Sequence, residues 1–229
     1  RLAWAAARPL LSSVLRDESR GLLAHLGALR SVAFLSREDL AAPLTRGLFL
    51  EMRRIASGLR PRPHGNLAIE LNAALAEGLE LAAANRETAQ VARLCGQHLV
   101  LAVAPADGYP SHSETGSDGD SMAMLNSLRL RYLAPPPLDD TLDAEALRAY
   151  SSVLALLLRL RFAQGMLSDI QKMPIFGFCQ HRRRLAGAHR LPLPLAHLAR
   201  CADLLRAELT HFLGCVEWYL RVDVIQASA

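Results

Sequence analysis

Two histidine–cysteine pairs stand closest to chemistry in this sequence. His197 and Cys201 are four residues apart, as are His211 and Cys215. On an α-helix each pair falls on one face, so each could offer an imidazole and a thiolate to a metal ion. The pairs lie 14 residues apart, about 21 Å along a helix axis. They cannot share an ion, and each needs further ligands that no recognisable spacing supplies. Packing is therefore the plainer reading of both. His25 and His98 sit inside apolar patterns and read as packed or surface histidines.

Other chemistry is harder to find. There is no GxxxxGK[ST] loop and no GxGxxG after a strand, so the usual phosphate cradles are missing. GxSxG is absent too. Asp139-Asp140 follows a proline run, where turn and capping roles are usual. "GSDGD" has part of a calcium loop but lacks the later ligands. Trp218-Tyr219 could anchor an interface, though one of the two must face the helix's own seam. Arg53-Arg54 and Arg182-Arg183-Arg184 are the clusters of positive charge, and a solvated surface accounts for them. No active site emerges, and the residues alone indicate a helical interaction or scaffold module, not an enzyme.

The elements that would carry these residues are mostly helices. The 229 residues are 51% apolar but only 5% aromatic, and Leu and Ala dominate, which favours helix over sheet. Leu22, Leu26, Leu29 and Ala33 recur at helical spacing. "SREDL" starts a second helix, with Ser36 as N-cap and Asp39 completing a near capping box. It ends at Gly58 and "RPRPHG". Asn66 caps a third, with Leu67, Leu71, Leu75 and Leu79 on one face. "HLVLAVA" fits a helix end or a short strand. "PADGYPSHSETGSDGD", from Pro105 to Asp120, reads as a polar loop.

"LNSLRLRYL" alternates, with Leu128, Leu130 and Tyr132 against Arg129 and Arg131, so an extended segment is expected. "APPPLDD" continues an extended path. Thr141 or Asp143 then caps the strongest helix, which is apolar almost all round from Val153 to Leu160 and so has several neighbours. The final helix carries Leu198, Ala202, Leu205, Leu209, Phe212, Val216 and Tyr219 at alternating steps of four and three. That is a heptad seam, expected to pack against the helix from Asp143 to Gln171. The fold class is all-α: helical bundles of long packed helices, with a short extended segment near 126–134.

Net charge is +4, dispersed and almost all arginine, which gives no dense basic face for nucleic acid. The four cysteines are scattered without a CxxC, which suits a reduced intracellular compartment. No apolar run is long enough to span a membrane. No targeting pattern is present, and both ends look cut, as in a piece of a larger protein.

Three stretches together resemble the gamma-tubulin complex component (Spc97/Spc98) family. The first is "SLRLRYLAPPPLDDTLDAEALRAYSSVLALLLRLRFAQGML". There Leu128, Leu130 and Tyr132 match a Leu-x-Leu-x-Tyr segment and Pro137-Leu138 a Pro-Leu pair. Leu147, Tyr150, Leu157, Leu158 and Arg161 follow the family's next helix, with Leu154 where Phe is usual. The second, "ELTHFLGCVEWYLRVDVIQA", matches a later family helix at His211, Phe212, Val216, Tyr219 and Val224. The third, "HLGALRSVAFLSREDLAAPLTRGLF", matches an earlier one at His25, Leu26, Leu29, Leu35, Asp39 and Leu40. Ala33 or Phe34 replaces a Tyr there, and Glu38 a Gly. Pro136 stands where a Trp usually precedes Pro-Leu. The order of the three is right, and they span roughly residues 20–225.

The resemblance implies a divergent member that scaffolds a gamma-tubulin complex and templates microtubule nucleation. It implies gamma-tubulin and neighbouring complex components as partners, and the cytoplasmic microtubule-organising centre, centrosome or spindle pole, as the location. It implies no cofactor, since gamma-tubulin carries the GTP, and no membrane insertion. Residues 1–104 would end an N-terminal helical domain, 105–125 form a linker, and 126–229 begin a C-terminal gamma-tubulin-binding domain, cut before its remaining helices. The expected contact residues are Arg129 and Arg131, whose charge suits an acidic tubulin surface, with Tyr132 and Leu138 as anchors. Packing of that stretch within its own domain is the competing reading. A different cytosolic helical adaptor remains the alternative function.

Overall fold

A computed structural model describes residues 21–56, 67–103, 118–135, 142–172 and 193–226. They form seven α-helices and one two-stranded sheet: α1 Leu22–Ala33, α2 Glu38–Ala56, α3 Leu67–Ala83, α4 Ala89–His98, β1 Leu99–Val103, α5 Asp118–Ser127, β2 Leu128–Tyr132, α6 Ala144–Lys172 and α7 Leu193–Tyr219. A π-helical segment, Leu220–Gln226, continues α7. The all-α expectation holds. The chain divides into two compact units, residues 1–158 and 159–229.

In the first unit, α1 buries His25, Ala28, Leu29, Val32 and Ala33. It ends in a Schellman arrangement: the Leu35 N–H donates to the Val32 carbonyl and the Ser36 N–H to the Ser31 carbonyl. Leu35 takes the left-handed position at φ 46°, where glycine is usual. Its side chain is 1% exposed, so burial offsets a strain of about 1–2 kcal/mol. The next helix starts at Glu38, later than a Ser36 cap would place it. Arg37 instead pairs with Asp39 at 3.2 Å.

The core lies between α2 and α3. Leu40, Leu44, Leu48, Met52 and Ile55 of α2 are buried, as are Leu71, Leu75 and Leu79 of α3, the helix packed against it. The helices come close at Gly78, where an added Cβ would sit 2.8 Å from the Leu44 Cα.

"HLVLAVA" resolves into a helix end followed by β1, which pairs antiparallel with β2. Leu101 lies opposite Leu130. Both edges of the ladder are closed there by side chains. The Asn72 amide from α3 donates to the Leu101 carbonyl at 2.7 Å and accepts from its N–H at 2.8 Å. Ser151 from α6 accepts from the Leu130 N–H at 3.0 Å and lies 3.2 Å from its carbonyl. A two-stranded sheet is marginal alone, and these bonds fasten it between two helices.

One expectation about the middle of the chain is corrected. Residues 118–125, the end of the expected loop and linker, are helical, within a helix that runs from Asp118 to Ser127. The strands on either side of residues 104–117 pair with each other and belong to one compact unit.

The second unit contains the end of α6 and all of α7. Here the heptad seam is corrected. Leu198, Leu205, Phe212 and Tyr219 are 65%, 57%, 61% and 56% exposed. The better-covered stripe lies one residue further on: Ala199, Asp203, Arg206, Leu213, Glu217 and Leu220. Its contact with α6 is polar. Glu217 accepts from Arg161 Nε and Gln164 Nε2, each at 3.0 Å, and Arg221 Nη2 lies 3.0 Å from the same carboxylate.

Candidate partner interface

The alternation of β2 places its side chains on two faces. Leu128, Leu130 and Tyr132 are buried, whereas Arg129 and Arg131 are exposed. The two arginines differ. Arg129 Nη1 donates to the Asn126 and Leu128 carbonyls, both at 2.9 Å, which fixes its guanidinium against the turn from α5. The Arg131 guanidinium has no hydrogen-bond or ion-pair partner among the described residues. It stands at the rim of a groove of about 660 Å³ between α3 and β1.

Tyr132 is placed differently from an accessible anchor. It is 6% exposed, because it shares the inward face of β2 with Leu128 and Leu130, its ring against α1 and α4. Its hydroxyl lies 2.6 Å from His25 Nδ1, and the His98 ring is 5.0 Å from His25 between centroids. His98 Nδ1 in turn meets the Leu133 carbonyl at 2.8 Å. Burial, and secondarily the nearby His98, hold the His25 pKa below its ordinary value. Burial raises the Tyr132 phenol, with a smaller contribution from Cys95. The Cys95 thiol is itself pushed up to about 12 by burial, and it donates weakly to the Ala28 carbonyl at 3.6 Å. Neutral His25 and Tyr132 thus form a structural bond that sets the register of β2 against α1. The two residues are 107 positions apart in the chain, and no local pattern signals their meeting. Leu138 lies outside the described residues.

The histidine–cysteine pairs do form. Cys201 Sγ is 3.7 Å from His197 Nδ1, and Cys215 Sγ is 3.8 Å from His211 Nδ1. Both cysteines are exposed. Among the described residues, no set of three or more His, Cys, Asp or Glu side chains is arranged to hold a metal ion. No helix of the described residues is long and apolar enough to cross a membrane.

Residues 22–228 match the family model described as gamma tubulin complex component C-terminal. No curated protein and no solved structure gives a match.

Proposed function

The chain belongs to the gamma-tubulin complex component family, and from that premise we propose that it is a non-catalytic scaffold that binds gamma-tubulin and templates microtubule nucleation. The observation that carries this reading is the extent of the family match, which takes in both compact units. The architecture is compatible with it. A nucleation template holds partners at fixed spacing, and helices of 29 and 27 residues are stiff spacers of roughly 40 Å each.

On this reading the partners are gamma-tubulin and neighbouring components through lateral contacts, and the working location is a cytoplasmic microtubule-organising centre such as a centrosome or spindle pole. Arg129 and Arg131 present positive charge from a fixed strand, which suits an acidic tubulin surface. Tyr132 contributes by holding that strand in place. Residues 126–229, which carry Arg129 and Arg131, begin the gamma-tubulin-binding domain on this reading.

The test is co-purification of the full-length protein with gamma-tubulin, wild type against Arg129→Glu/Arg131→Glu. Recovery by the wild type and loss in the variant at unchanged helicity support the reading. If the wild type recovers no gamma-tubulin, the reading fails and a different helical adaptor takes its place.

A further inference from the structure

We propose that the groove between α3 and β1 receives a helical segment of gamma-tubulin bearing aliphatic side chains and a carboxylate, with Arg131 as its charged anchor. The proposal rests on the gamma-tubulin reading above and specifies where and how that partner docks.

The lining sets the chemistry. Ile69, Leu75, Leu79, Val100 and Ala102 make the walls and floor, and among the described residues that line it Arg131 is the single charged side chain. Ile69 is 65% exposed, which is apolar surface left to water unless something covers it. An aliphatic face is the natural cover. A guanidinium without a partner among the described residues, beside low-dielectric walls, selects a carboxylate more strongly than it would on an open surface. Arg129 lies two residues along the same strand face, about 7 Å away. It offers a second positive point, already steadied by two backbone carbonyls.

The backbone sets the conformation of the occupant. A bare strand edge invites another strand to pair with it. Here the N–H and C=O of Leu101, at the middle of β1, are both taken by the Asn72 amide. A strand laid along this edge would leave its own groups facing Leu101 unmet. A helix satisfies its backbone internally and brings only side chains to the groove, so the geometry favours a helix laid in it. Carboxylates one turn apart on such a helix, about 5–6 Å, fall within reach of Arg131 and Arg129.

The experiment measures the affinity of the full-length protein for purified gamma-tubulin. Four variants are compared with wild type. Arg131→Glu reverses the anchor, Arg131→Lys keeps its charge, Ala102→Trp fills the groove, and Arg148→Glu makes the same reversal at an exposed site on α6. The proposal expects Arg131→Glu and Ala102→Trp each to weaken binding by about tenfold or more. Arg131→Lys and Arg148→Glu should stay near wild type. Unfolding curves that match wild type exclude a folding defect in any variant. Wild-type binding unaffected by Arg131→Glu and Ala102→Trp would overturn the groove while leaving the gamma-tubulin reading intact. A loss on Arg131→Glu but not on Ala102→Trp would overturn the buried helix in favour of a purely electrostatic contact. No binding by the wild type would overturn both the docking mode and the reading beneath it.

Discussion

Changing Tyr132 to Phe removes one hydroxyl and leaves the ring that fills the space between α1, α4 and β2. The hydroxyl lies 2.6 Å from His25 Nδ1, and His25 is 1% exposed, so water cannot replace the lost partner without repacking. Leaving a buried polar atom unsatisfied costs about 1–3 kcal/mol. For a unit of this size each kcal/mol lowers the melting temperature by about 2–4 °C, and a drop of roughly 2–12 °C follows. The loss also depends on pH. Burial, then His98, lowers the His25 pKa in the folded state. As pH falls below about 6.5, the unfolded chain takes up a proton that folded His25 refuses. This contribution to stability is therefore present above that pH and declines as pH falls through the folded value. With the ring proton on Nε2, His25 Nδ1 accepts from the phenol; removing a bond that favours the neutral ring raises its pKa relative to wild type, so the decline becomes shallower. The gap between wild type and variant should be widest near pH 8 and narrow toward pH 5. Thermal and urea unfolding followed by circular dichroism across that range read the two effects. A gap independent of pH, or a shift in melting temperature of less than about 1 °C, would refute the reasoning.

Two glycines offer a paired test of the helix crossing. Gly78→Ala should destabilise by about 1–3 kcal/mol, since its Cβ would meet the Leu44 backbone at 2.8 Å. Gly27→Ala, with nothing within 4 Å, should instead stabilise α1 by about 0.5–1 kcal/mol. Thermal unfolding of both variants checks the opposite signs. Thiol labelling should sort the described cysteines. Cys201 and Cys215 are exposed and should react within minutes under native conditions, whereas Cys95, buried with its pKa pushed up to about 12, should react only on unfolding. Mass mapping of labelled peptides before and after denaturant reads the outcome.

The sequence was most legible where one period ruled a whole element. Of the apolar steps read in α1 and α3, Leu29, Ala33, Leu71, Leu75 and Leu79 are buried and Leu22, Leu26 and Leu67 half-buried, and the alternation of β2 is seen in its two faces. β1 was ambiguous because "LVLAV" is apolar throughout and abuts a helix without a breaker, so neither period shows. α5 was missed because Gly119 and the flanking serines suggested a loop. Asp118 and Asp120 at its start were the available signal, since acidic residues favour a helix N-terminus. Least visible were the contacts that fix the candidate interface. The bonds of Asn72 to β1 and of Ser151 to β2 each join a side chain to a distant backbone. No spacing rule reports such a pairing.

In α7 the seam was a real pattern attached to the wrong face. A four-three repeat reports that apolar residues share a stripe. It does not report which neighbour that stripe meets. In the structure α6 meets the adjacent stripe, where Glu217 gathers Arg161, Gln164 and Arg221. The Arg161 and Glu217 side chains are only 12% and 14% exposed, so this carboxylate is far better covered than the seam leucines. The two arrangements make opposite demands on substitution. With the polar stripe inward, Glu217→Ala should cost about 1.5–3 kcal/mol, the range for hydrogen bonds to charged groups. Leu209→Ser, at a position 42% exposed, should then stay within about 0.5 kcal/mol. With the seam inward the order reverses: the serine variant would lose the burial of a leucine, about 1.5–3 kcal/mol, and the alanine variant almost nothing. Urea unfolding of the two variants in parallel decides between the faces. A larger loss from Leu209→Ser than from Glu217→Ala would mean that α7 turns its heptad stripe toward a neighbour after all.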